Sequence, residues 1–149
     1  MILMILTLMT IQLDFNKIIE IESSGVPTAV STTGARGLMQ IQEVTWEECV
    51  ARLGVDWGWC EAFDGEKNIK VGVYYYNERI PYMLRYYGLQ DTIETRIAAY
   101  NWGIGNLLKC KRKYKDSWQK HLPKETKNYI KKYETIEPKE DYVMKFGIE

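Results

Sequence analysis

Residues 14–40 read DFNKIIEIESSGVPTAVSTTGARGLMQ, and the first third of this stretch predicts a short amphipathic helix. At a rotation of about 100 degrees per residue, Ile18, Ile19 and Glu22 fall within roughly 60 degrees of one line along that helix. Glu20 falls on the opposite side. A carboxyl group set among isoleucines loses hydration, which disfavours its charged form and raises its pKa toward the range that a general acid needs. The sequence therefore identifies Glu22, and not Glu20, as a candidate acid.

Helix signals dominate the chain and strand alternation is nearly absent, so the sequence predicts a mostly α protein. Asp14 is placed to cap the first helix, and Gly25 with Pro27 is placed to end it. The periodic stretch 69–84 predicts a long helix with a kink or break at Pro81. Further helix starts are predicted at Thr45 with Glu48 (a helix to about Gly54), at Asp91 with Glu94, and at Pro123 (a final helix to near Tyr133).

Four ordered blocks of sequence resemble the soluble lytic transglycosylase domain. The blocks are Glu22-Ser23 with Ser31, Gly34-Ala35, Gly37-Leu38-Met39-Gln40 and Thr45; Asn68-Ile69 with Gly72; Ala98-Ala99-Tyr100-Asn101 with Gly103 and Gly105; and Leu122-Pro123 with Glu125-Thr126 and Tyr129. Their order and spacing are hard to obtain by chance, and they span roughly residues 14–133. The resemblance implies a mostly α, single-domain lysozyme-like fold with helices around a glycan-binding groove.

The resemblance also implies a reaction. Cleavage of a glycosidic bond needs an acid for the leaving oxygen and a means of stabilising an oxocarbenium-like transition state. In this family the N-acetyl group of the substrate acts as the neighbouring nucleophile, so no second carboxylate is required. Glu22 is then expected to protonate the departing N-acetylglucosamine of peptidoglycan and to accept a proton from the C6 hydroxyl of N-acetylmuramic acid. A 1,6-anhydromuramyl product results, and neither a cofactor nor a metal is involved.

Five further residues are expected at the substrate by the same resemblance. Ser31 orients the N-acetyl group, Met39 forms part of an apolar wall around Glu22, and Gln40 offers donors and acceptors to sugar hydroxyls. Tyr100 carries a hydroxyl that reaches the acid or the developing charge, and Asn101 contacts the glycan or holds the following loop. A turn role for Ser31 and a helix-capping role for Asn101 stay open.

Two other functions are compatible with these residues. A goose-type lysozyme-like hydrolase of the same bond needs a second carboxylate to position a water, and Glu61 and Asp64 in a Trp-rich loop are the candidates. A non-catalytic wall-binding or structural module keeps the groove without turnover, although such a module has no need of a desolvated acid. Among the aromatic residues, those in predicted loops are the best candidates for stacking on sugar rings: Trp57, Trp59 and Trp102. Trp102 stands where the family commonly has alanine, which puts the shape of a subsite in question.

Charge is distributed unevenly along the chain. The formal net charge is zero, yet segment 109–132 holds ten Lys or Arg against Asp116 and Glu125, which gives +8 and leaves −8 for the rest. Such a segment suits a polyanionic surface, whereas a solvated basic helix face is the simpler interpretation. No nucleic-acid-binding motif accompanies it, so no nucleic-acid partner is expected. The predicted partner is peptidoglycan, the predicted state is a monomer, and a secretion, conjugation or phage lysis assembly is a further candidate partner.

The three cysteines lack the spacing of a metal site, and the single histidine, His121, lies far from them in sequence. Neither zinc nor a Cys-His nucleophile is therefore predicted. Cys49 and Cys60 could be bridged in an exported protein, but free thiols for these two and for Cys110 are an equally good interpretation.

The ends of the chain differ from the middle. Residues 1–13 include ten apolar residues and no charge. They are interpreted as a first helix packed on the core. An export signal is the less favoured alternative, because a basic start and a cleavage site are lacking. Residues 134–149 are polar and predict a loosely attached tail that follows the catalytic domain of residues 14–133. The implied substrate places the protein in the bacterial cell envelope, periplasmic or extracellular, by an export route that the sequence does not identify.

Overall fold

The computed structural model describes residues 11–147, so the prediction for most of the apolar N-terminal segment lies outside the described residues. Eight α-helices follow one another in this range: α1 (Phe15–Ser23), α2 (Glu43–Leu53), α3 (Gly65–Tyr74), α4 (Ile80–Tyr86), α5 (Ile93–Trp102), α6 (Ile104–Tyr114), α7 (Lys124–Thr135) and α8 (Tyr142–Lys145). Trp59–Phe63 and Lys115–His121 are 3₁₀ segments, and Tyr75–Arg79 is a π segment. Residues 11–147 contain no strand, only two isolated β-bridges. The prediction of a mostly α fold is confirmed.

Helix α1 forms as its capping residues predict. The Asp14 carboxylate accepts hydrogen bonds from the backbone N–H groups of Asn16 and Lys17, and Ile18 and Ile19 are fully buried. The helix ends at Ser23, because Ser24 adopts a left-handed conformation with φ of 52° and returns its N–H to the Glu20 carbonyl. The end therefore comes before Gly25 and Pro27, the residues predicted to stop it.

Two of the predicted capping boxes are wrong. Helix α2 begins at Glu43, so Thr45 lies inside its first turn instead of preceding it. Helix α5 is capped by Thr92, whose hydroxyl accepts the backbone N–H of Thr95 at 3.1 Å while the Thr95 hydroxyl accepts the backbone N–H of Thr92 at 2.9 Å. The neighbouring carboxylate of Asp91 pairs with Arg96 instead, with N–O distances of 2.6 and 3.0 Å. A bidentate bond to a buried guanidinium outcompetes a single cap for the carboxylate.

The break predicted at Pro81 is present, but it lies one turn earlier. Because Pro81 has no N–H and its ring crowds the carbonyl four residues before it, the regular helix cannot run through this region. The chain widens instead into the π segment, in which the Ile80 N–H bonds to the Tyr75 carbonyl. Pro81 then sits in the first turn of α4, where it is buried. Tyr76, within the π segment, is also fully buried and turns its ring toward the core.

The C-terminal segment is packed, contrary to the prediction of a loose tail. Helix α7 runs to Thr135 and is followed by α8, so it is not the final helix. Tyr142 is buried against Gly25, and Phe146 packs against Gly65. The side chain of Asn16 bonds to Asp141 at 3.2 Å and accepts the backbone N–H of Val143 at 3.0 Å. The apolar members of an otherwise polar segment therefore hold it against α1 and the start of α3.

The cysteines are free thiols: Cys49 and Cys110 are buried, whereas Cys60 is exposed. The bridge considered between Cys49 and Cys60 is not formed. Among the described residues, no helix has the length and apolar character needed to cross a membrane.

Candidate active site

A loop of residues 24–42 joins α1 to α2 and is held in place by one buried side chain. The Asn68 amide of α3 accepts the Met39 N–H at 2.8 Å and donates to the carbonyls of Arg36 and Ala62 at 3.0 and 2.8 Å. Gly37 has φ of 80° and lies against this amide, so a side chain at that position would collide with Asn68 and with the backbone of Ala62. Asn68, noted in the sequence only as part of a motif, thus fixes the loop beside α1.

Glu22 lies at the end of α1, where the helix meets a groove. The Tyr129 hydroxyl donates to Glu22 Oε1 at 2.6 Å, and within residues 11–147 no Lys, Arg or His nitrogen forms an ion pair with this carboxylate. Burial raises the pKa of Glu22 to about 7; the Tyr129 hydrogen bond opposes the rise, and the negative charge of Glu125 adds to it. Glu22 is therefore a carboxyl group that exchanges its proton near neutral pH.

The groove has a volume of about 420 Å³. Its lining brings together residues from α1, the loop 24–42, α2, the π segment, α5 and α7, among them Glu22, Ser31, Gln40, Thr45, Tyr75, Tyr100, Asn101, Trp102, Gly103 and Glu125. A second cavity of about 280 Å³ adjoins the groove and shares Glu22, Asn101 and Glu125 with it. Its remaining lining includes Asn128, Tyr129 and Lys132. Glu22 thus lines two adjoining cavities that have space for a ligand.

Ser31 and Gln40 line the groove and also hold its wall. The Ser31 hydroxyl accepts the backbone N–H of Ala35 at 3.0 Å and lies 3.0 Å from the Thr33 hydroxyl, so the turn role left open for Ser31 is realised. Gln40 has a left-handed backbone with φ of 50°, and its amide donates to the carbonyls of Ala29 and Gly37 at 3.1 and 3.0 Å. Both side chains face the groove with their positions set by backbone contacts.

Tyr100 and Met39 differ from their expected roles. The Tyr100 hydroxyl donates to the Met39 carbonyl and not to Glu22, and its ring stacks on Tyr76 with centroids 4.2 Å apart. Tyr100 still lines the groove. The Met39 side chain is fully buried, packs against Gly72 in the core and does not line the groove. The backbone of Met39 holds the loop in place, because its N–H donates to Asn68 and its carbonyl accepts the Tyr100 hydroxyl hydrogen bond.

Asn101 belongs to a polar group at the edge of the groove. Its carbonyl oxygen accepts the Thr126 hydroxyl at 2.7 Å, and its amide nitrogen lies 3.5 Å from Glu125 Oε1. The hydrogen bond between Asn101 and Thr126 links α5 to α7. Glu125, the residue beside Thr126, lines the groove. Glu125 and Tyr129 were noted in the sequence as motif residues without a role at the acid. Their separation of four residues on a helix, which places both on one face, was the available signal.

The Trp-rich loop lies away from the groove. Trp59 packs against Trp46 and under the Arg36 guanidinium, and the Trp57 carbonyl accepts the Trp46 indole N–H at 3.1 Å. Neither residue lines the groove, so of the three tryptophans proposed to stack on sugar only Trp102 is placed to do so.

The two carboxylates proposed for water positioning also have structural partners. Glu61 bonds to Lys67 and accepts the Gly58 N–H at 2.7 Å, and Asp64 caps α3 by accepting the Lys67 N–H at 3.0 Å. Neither lines the groove. In residues 11–147, no group of three or more His, Cys, Asp and Glu side chains is arranged to hold a metal ion.

Comparison with known proteins agrees with this arrangement. Residues 14–123 match the family described as transglycosylase SLT domain. The membrane-bound lytic murein transglycosylase F of Histophilus somni strain 2336 is 32% identical over 111 residues, which covers 68% of this chain and 22% of the relative. The protein of the same name from Pasteurella multocida strain Pm70 is 33% identical over 111 residues, with 68% of this chain and 21% of the relative covered. The chain thus spans about a fifth of the length of these relatives. The lysozyme-like fold inferred from the sequence blocks is confirmed, and the protein belongs to the transglycosylase SLT domain family.

Proposed function

We propose that the protein is a peptidoglycan lytic transglycosylase that cleaves the β-1,4 bond between N-acetylmuramic acid and N-acetylglucosamine. The observation that carries this proposal is the Glu22 carboxyl group, which lies in the groove without a cationic partner among residues 11–147 and has a pKa of about 7. A purely structural carboxylate is ordinarily neutralised by a cation or by several N–H donors. The names of the relatives, lytic murein transglycosylases, support the same reaction.

The proposed reaction uses Glu22 twice. With a pKa near 7, a large fraction of Glu22 is protonated at neutral pH and can protonate the departing glycosidic oxygen. The resulting carboxylate then accepts the proton of the C6 hydroxyl as that oxygen closes on C1, which gives the 1,6-anhydro product. Tyr129 holds the carboxyl group in one orientation through both steps. Ser31, Gln40, Tyr100 and Asn101 are the proposed substrate contacts because they line the same groove.

The test is mass spectrometry of the fragments released from purified peptidoglycan. We expect anhydromuramyl products from the wild-type protein, and a loss of rate of about 10² to 10⁴ in Glu22→Gln, which keeps the side-chain shape but has no proton to donate. Glu134→Gln on the exposed end of α7 is the matched control, since it removes one carboxylate that lines neither the groove nor the second cavity beside the acid. Equal activity of Glu22→Gln and Glu134→Gln would contradict the assignment of the acid.

Hydrolysis is the second candidate, because Glu125 lines the groove together with Glu22 and could position a water. In that case the fragments carry reducing ends, and Glu125→Gln abolishes their release. Under the transglycosylase proposal, Glu125→Gln retains anhydro products. No release by the folded wild-type protein would instead favour the non-catalytic wall-binding module. The proposed substrate lies in the bacterial envelope, and the proposed place of action is therefore the periplasm or the cell exterior.

A further inference from the structure

Ion pairing is distributed unevenly among the twenty Lys and Arg residues, all of which lie in the described part of the chain. Outside segment 109–132, eight of ten are paired with a carboxylate within 4.0 Å. Inside that segment, none of the ten has such a partner among residues 11–147. The simple interpretation of a solvated basic face accounts for those that point into water. It does not account for basic residues that line a cavity.

Three of the unpaired cations line one cavity, here called the basic groove: Lys111 and Arg112 near the end of α6, and Lys115 at the start of the following 3₁₀ segment. The basic groove has a volume of about 470 Å³. Its walls also include Tyr87, Gln90, Asp116, Trp118 and Gln119. With three basic residues against one carboxylate, the cavity offers a net positive charge beside aromatic and amide side chains.

Arg112 and Lys115 are exposed, but Lys111 and Lys115 each have a feature that a freely solvated lysine lacks. Lys111 is half-buried, with its ammonium group 4.8 Å from the centre of the Trp118 ring, and burial lowers its pKa while Glu94 and Asp116 act in the opposite direction. Lys115 has φ of 48° and ψ of −121°, a backbone conformation that glycine adopts easily and other residues adopt at a cost of about 1–3 kcal/mol. A half-buried cation that has no carboxylate within 4.0 Å in the described part of the chain, and a lysine in a strained conformation, are both expected where an anion binds.

The basic groove is connected to the candidate active site by α6. Gly103, which precedes α6, lines the catalytic groove, whereas Lys111 and Arg112 stand near the other end of the same helix. Eleven residues of α-helix span about 16 Å. A polymer with repeated anionic groups could therefore occupy both sites at once, but a disaccharide could not.

We propose that the basic groove binds the carboxylates of the peptide stems of peptidoglycan and so anchors the polymer that the catalytic groove cleaves. This inference rests on the proposed function for its choice of polymer. Stem carboxylates are favoured over the phosphates of nucleic acid because Asp116 lies in the same cavity and the residues outside segment 109–132 carry a net charge of −8, which opposes a densely charged chain.

The test compares two triple variants, both in the Glu22→Gln protein so that the polymer is not consumed. One variant removes the cations of the basic groove (Lys111→Gln, Arg112→Gln, Lys115→Gln). The control makes the same change of net charge on α7, at exposed residues that do not line it (Lys124→Gln, Lys127→Gln, Lys131→Gln). Affinity is measured by co-sedimentation with teichoic-acid-free peptidoglycan, either with its peptide stems or after an amidase has removed them and the lactyl carboxylates so exposed have been amidated. Double-stranded DNA and free stem peptides serve as competitors. Circular dichroism checks that both variants are folded.

The first variant is expected to bind stem-bearing peptidoglycan about tenfold more weakly, with a reduced salt dependence, because three ion pairs of modest strength are lost. The control is expected to bind as the Glu22→Gln protein does, and neither variant should differ on stem-free glycan. Equal losses in both variants would overturn the proposal in favour of diffuse charge attraction. A loss that persists on stem-free glycan, or displacement by DNA at lower concentration than by stem peptides, would also overturn it.

Cleavage separates this proposal from the proposed function. Stem-free glycan is incubated with proteins that retain Glu22, with and without the three substitutions in the basic groove. Failure of both proteins to cleave it counts against the proposed reaction, whereas unequal rates on this substrate count against a role confined to the stems.

Discussion

Two glutamates on α1, only two residues apart, have pKa values that are shifted in opposite directions. The Glu22 carboxyl group faces the catalytic groove with Tyr129, and burial raises its pKa to about 7. The Glu20 carboxyl group faces the C-terminal segment with Tyr142, and its pKa is lowered, first by the Tyr142 hydrogen bond against the effect of burial, and then by the N–H and charge of Lys139. Each carboxyl group loses hydration, and each accepts a hydrogen bond from a tyrosine hydroxyl.

The balance between burial and the tyrosine hydrogen bond is the first cause of the difference: the Tyr142 hydrogen bond outweighs burial at Glu20, whereas burial outweighs the Tyr129 hydrogen bond at Glu22. Glu20 accepts the Lys139 N–H at 3.3 Å, and the Lys139 ammonium lies 3.5 Å from its other oxygen. Among residues 11–147, Glu22 has neither a cation within 4.0 Å nor a backbone N–H donor, and the negative charge of Glu125 raises its pKa. One hydroxyl donor therefore does not offset the burial of Glu22, whereas at Glu20 the hydroxyl donor outweighs burial, and the backbone N–H and the charge of Lys139 lower the pKa further. The predictions below test this contrast, beginning with the largest effect.

The same substitution should change stability in opposite directions at the two positions. Glu22→Gln is expected to raise the free energy of unfolding by up to about 3 kcal/mol at pH 8, since a folded pKa of about 7 against 4.5 unfolded penalises the folded anion. Glu20→Gln is expected to lower the free energy of unfolding by about 1–3 kcal/mol. The substitution removes the charge-assisted contact with Lys139 and weakens the hydrogen bond from the Tyr142 hydroxyl. Urea denaturation at pH 8 measures both.

The pH dependence supplies the control for this pair. The Glu22 effect should disappear below about pH 4.5, because the group is then protonated in both states, and it should grow as pH rises toward 7. The stabilisation by Glu20 is present above its unfolded pKa and is lost as pH falls through its lowered folded pKa. A shift of the same sign in both variants at pH 8 would refute the contrast.

The two tyrosine hydroxyls should also prove unequal. Removing the Tyr129 hydroxyl in Tyr129→Phe takes away a hydrogen bond that favours the Glu22 anion, so the pKa of Glu22 should rise above 7. The alkaline limb of kcat/KM, which reports the acid in the free enzyme, is expected to move to higher pH. Tyr142→Phe should leave that limb in place and lower stability by about 1 kcal/mol. The comparison fails if Tyr142→Phe moves the limb as far as Tyr129→Phe does.

The sequence predicted the part of this contrast that depends on one helix. A rotation of about 100 degrees per residue separates Glu22 from Glu20, and the family blocks identified the loop, α5 and α7 that surround the acid. The helix pattern did not predict that the C-terminal segment buries Glu20. Segment 134–147 is polar on average, yet Tyr142 and Phe146 pack it onto α1 and α3. The contacts of Glu20 with this segment span about 120 residues, and local periodicity carries no information on pairing at that separation.

The same limit explains the errors at the site. The hydroxyl of Tyr100 was expected at the acid because its motif is strong, but its position on α5 directs it to the Met39 carbonyl, and Tyr129 from α7 reaches Glu22 instead. Glu61 and Asp64 stood in a loop rich in aromatic residues, which suggested a glycan site. Lys67 lies six residues after Glu61 and three after Asp64. Its ammonium group binds Glu61 and its backbone N–H binds Asp64, so both carboxylates have structural roles.

The smallest expected effect concerns the like charge beside Glu22. Glu125 is exposed and is the last of the three causes acting on the pKa of Glu22, after burial and the Tyr129 hydrogen bond. Glu125→Gln keeps the side-chain shape and removes the charge, so the pKa of Glu22 should fall by less than about one unit. The alkaline limb of kcat/KM is then expected to move to lower pH, opposite in direction to Tyr129→Phe.

Salt distinguishes a charge effect from a change of shape at this position. If Glu125 acts through its charge, the difference between Glu125→Gln and the wild-type protein should shrink as ionic strength rises from about 0.01 to 1 M, because the Debye length falls from about 30 to 3 Å. The difference caused by Tyr129→Phe should persist, since a direct hydrogen bond is not screened. A Glu125→Gln shift that is independent of salt, or directed to higher pH, would mean that the Asn101 contact of Glu125 and not its charge influences Glu22.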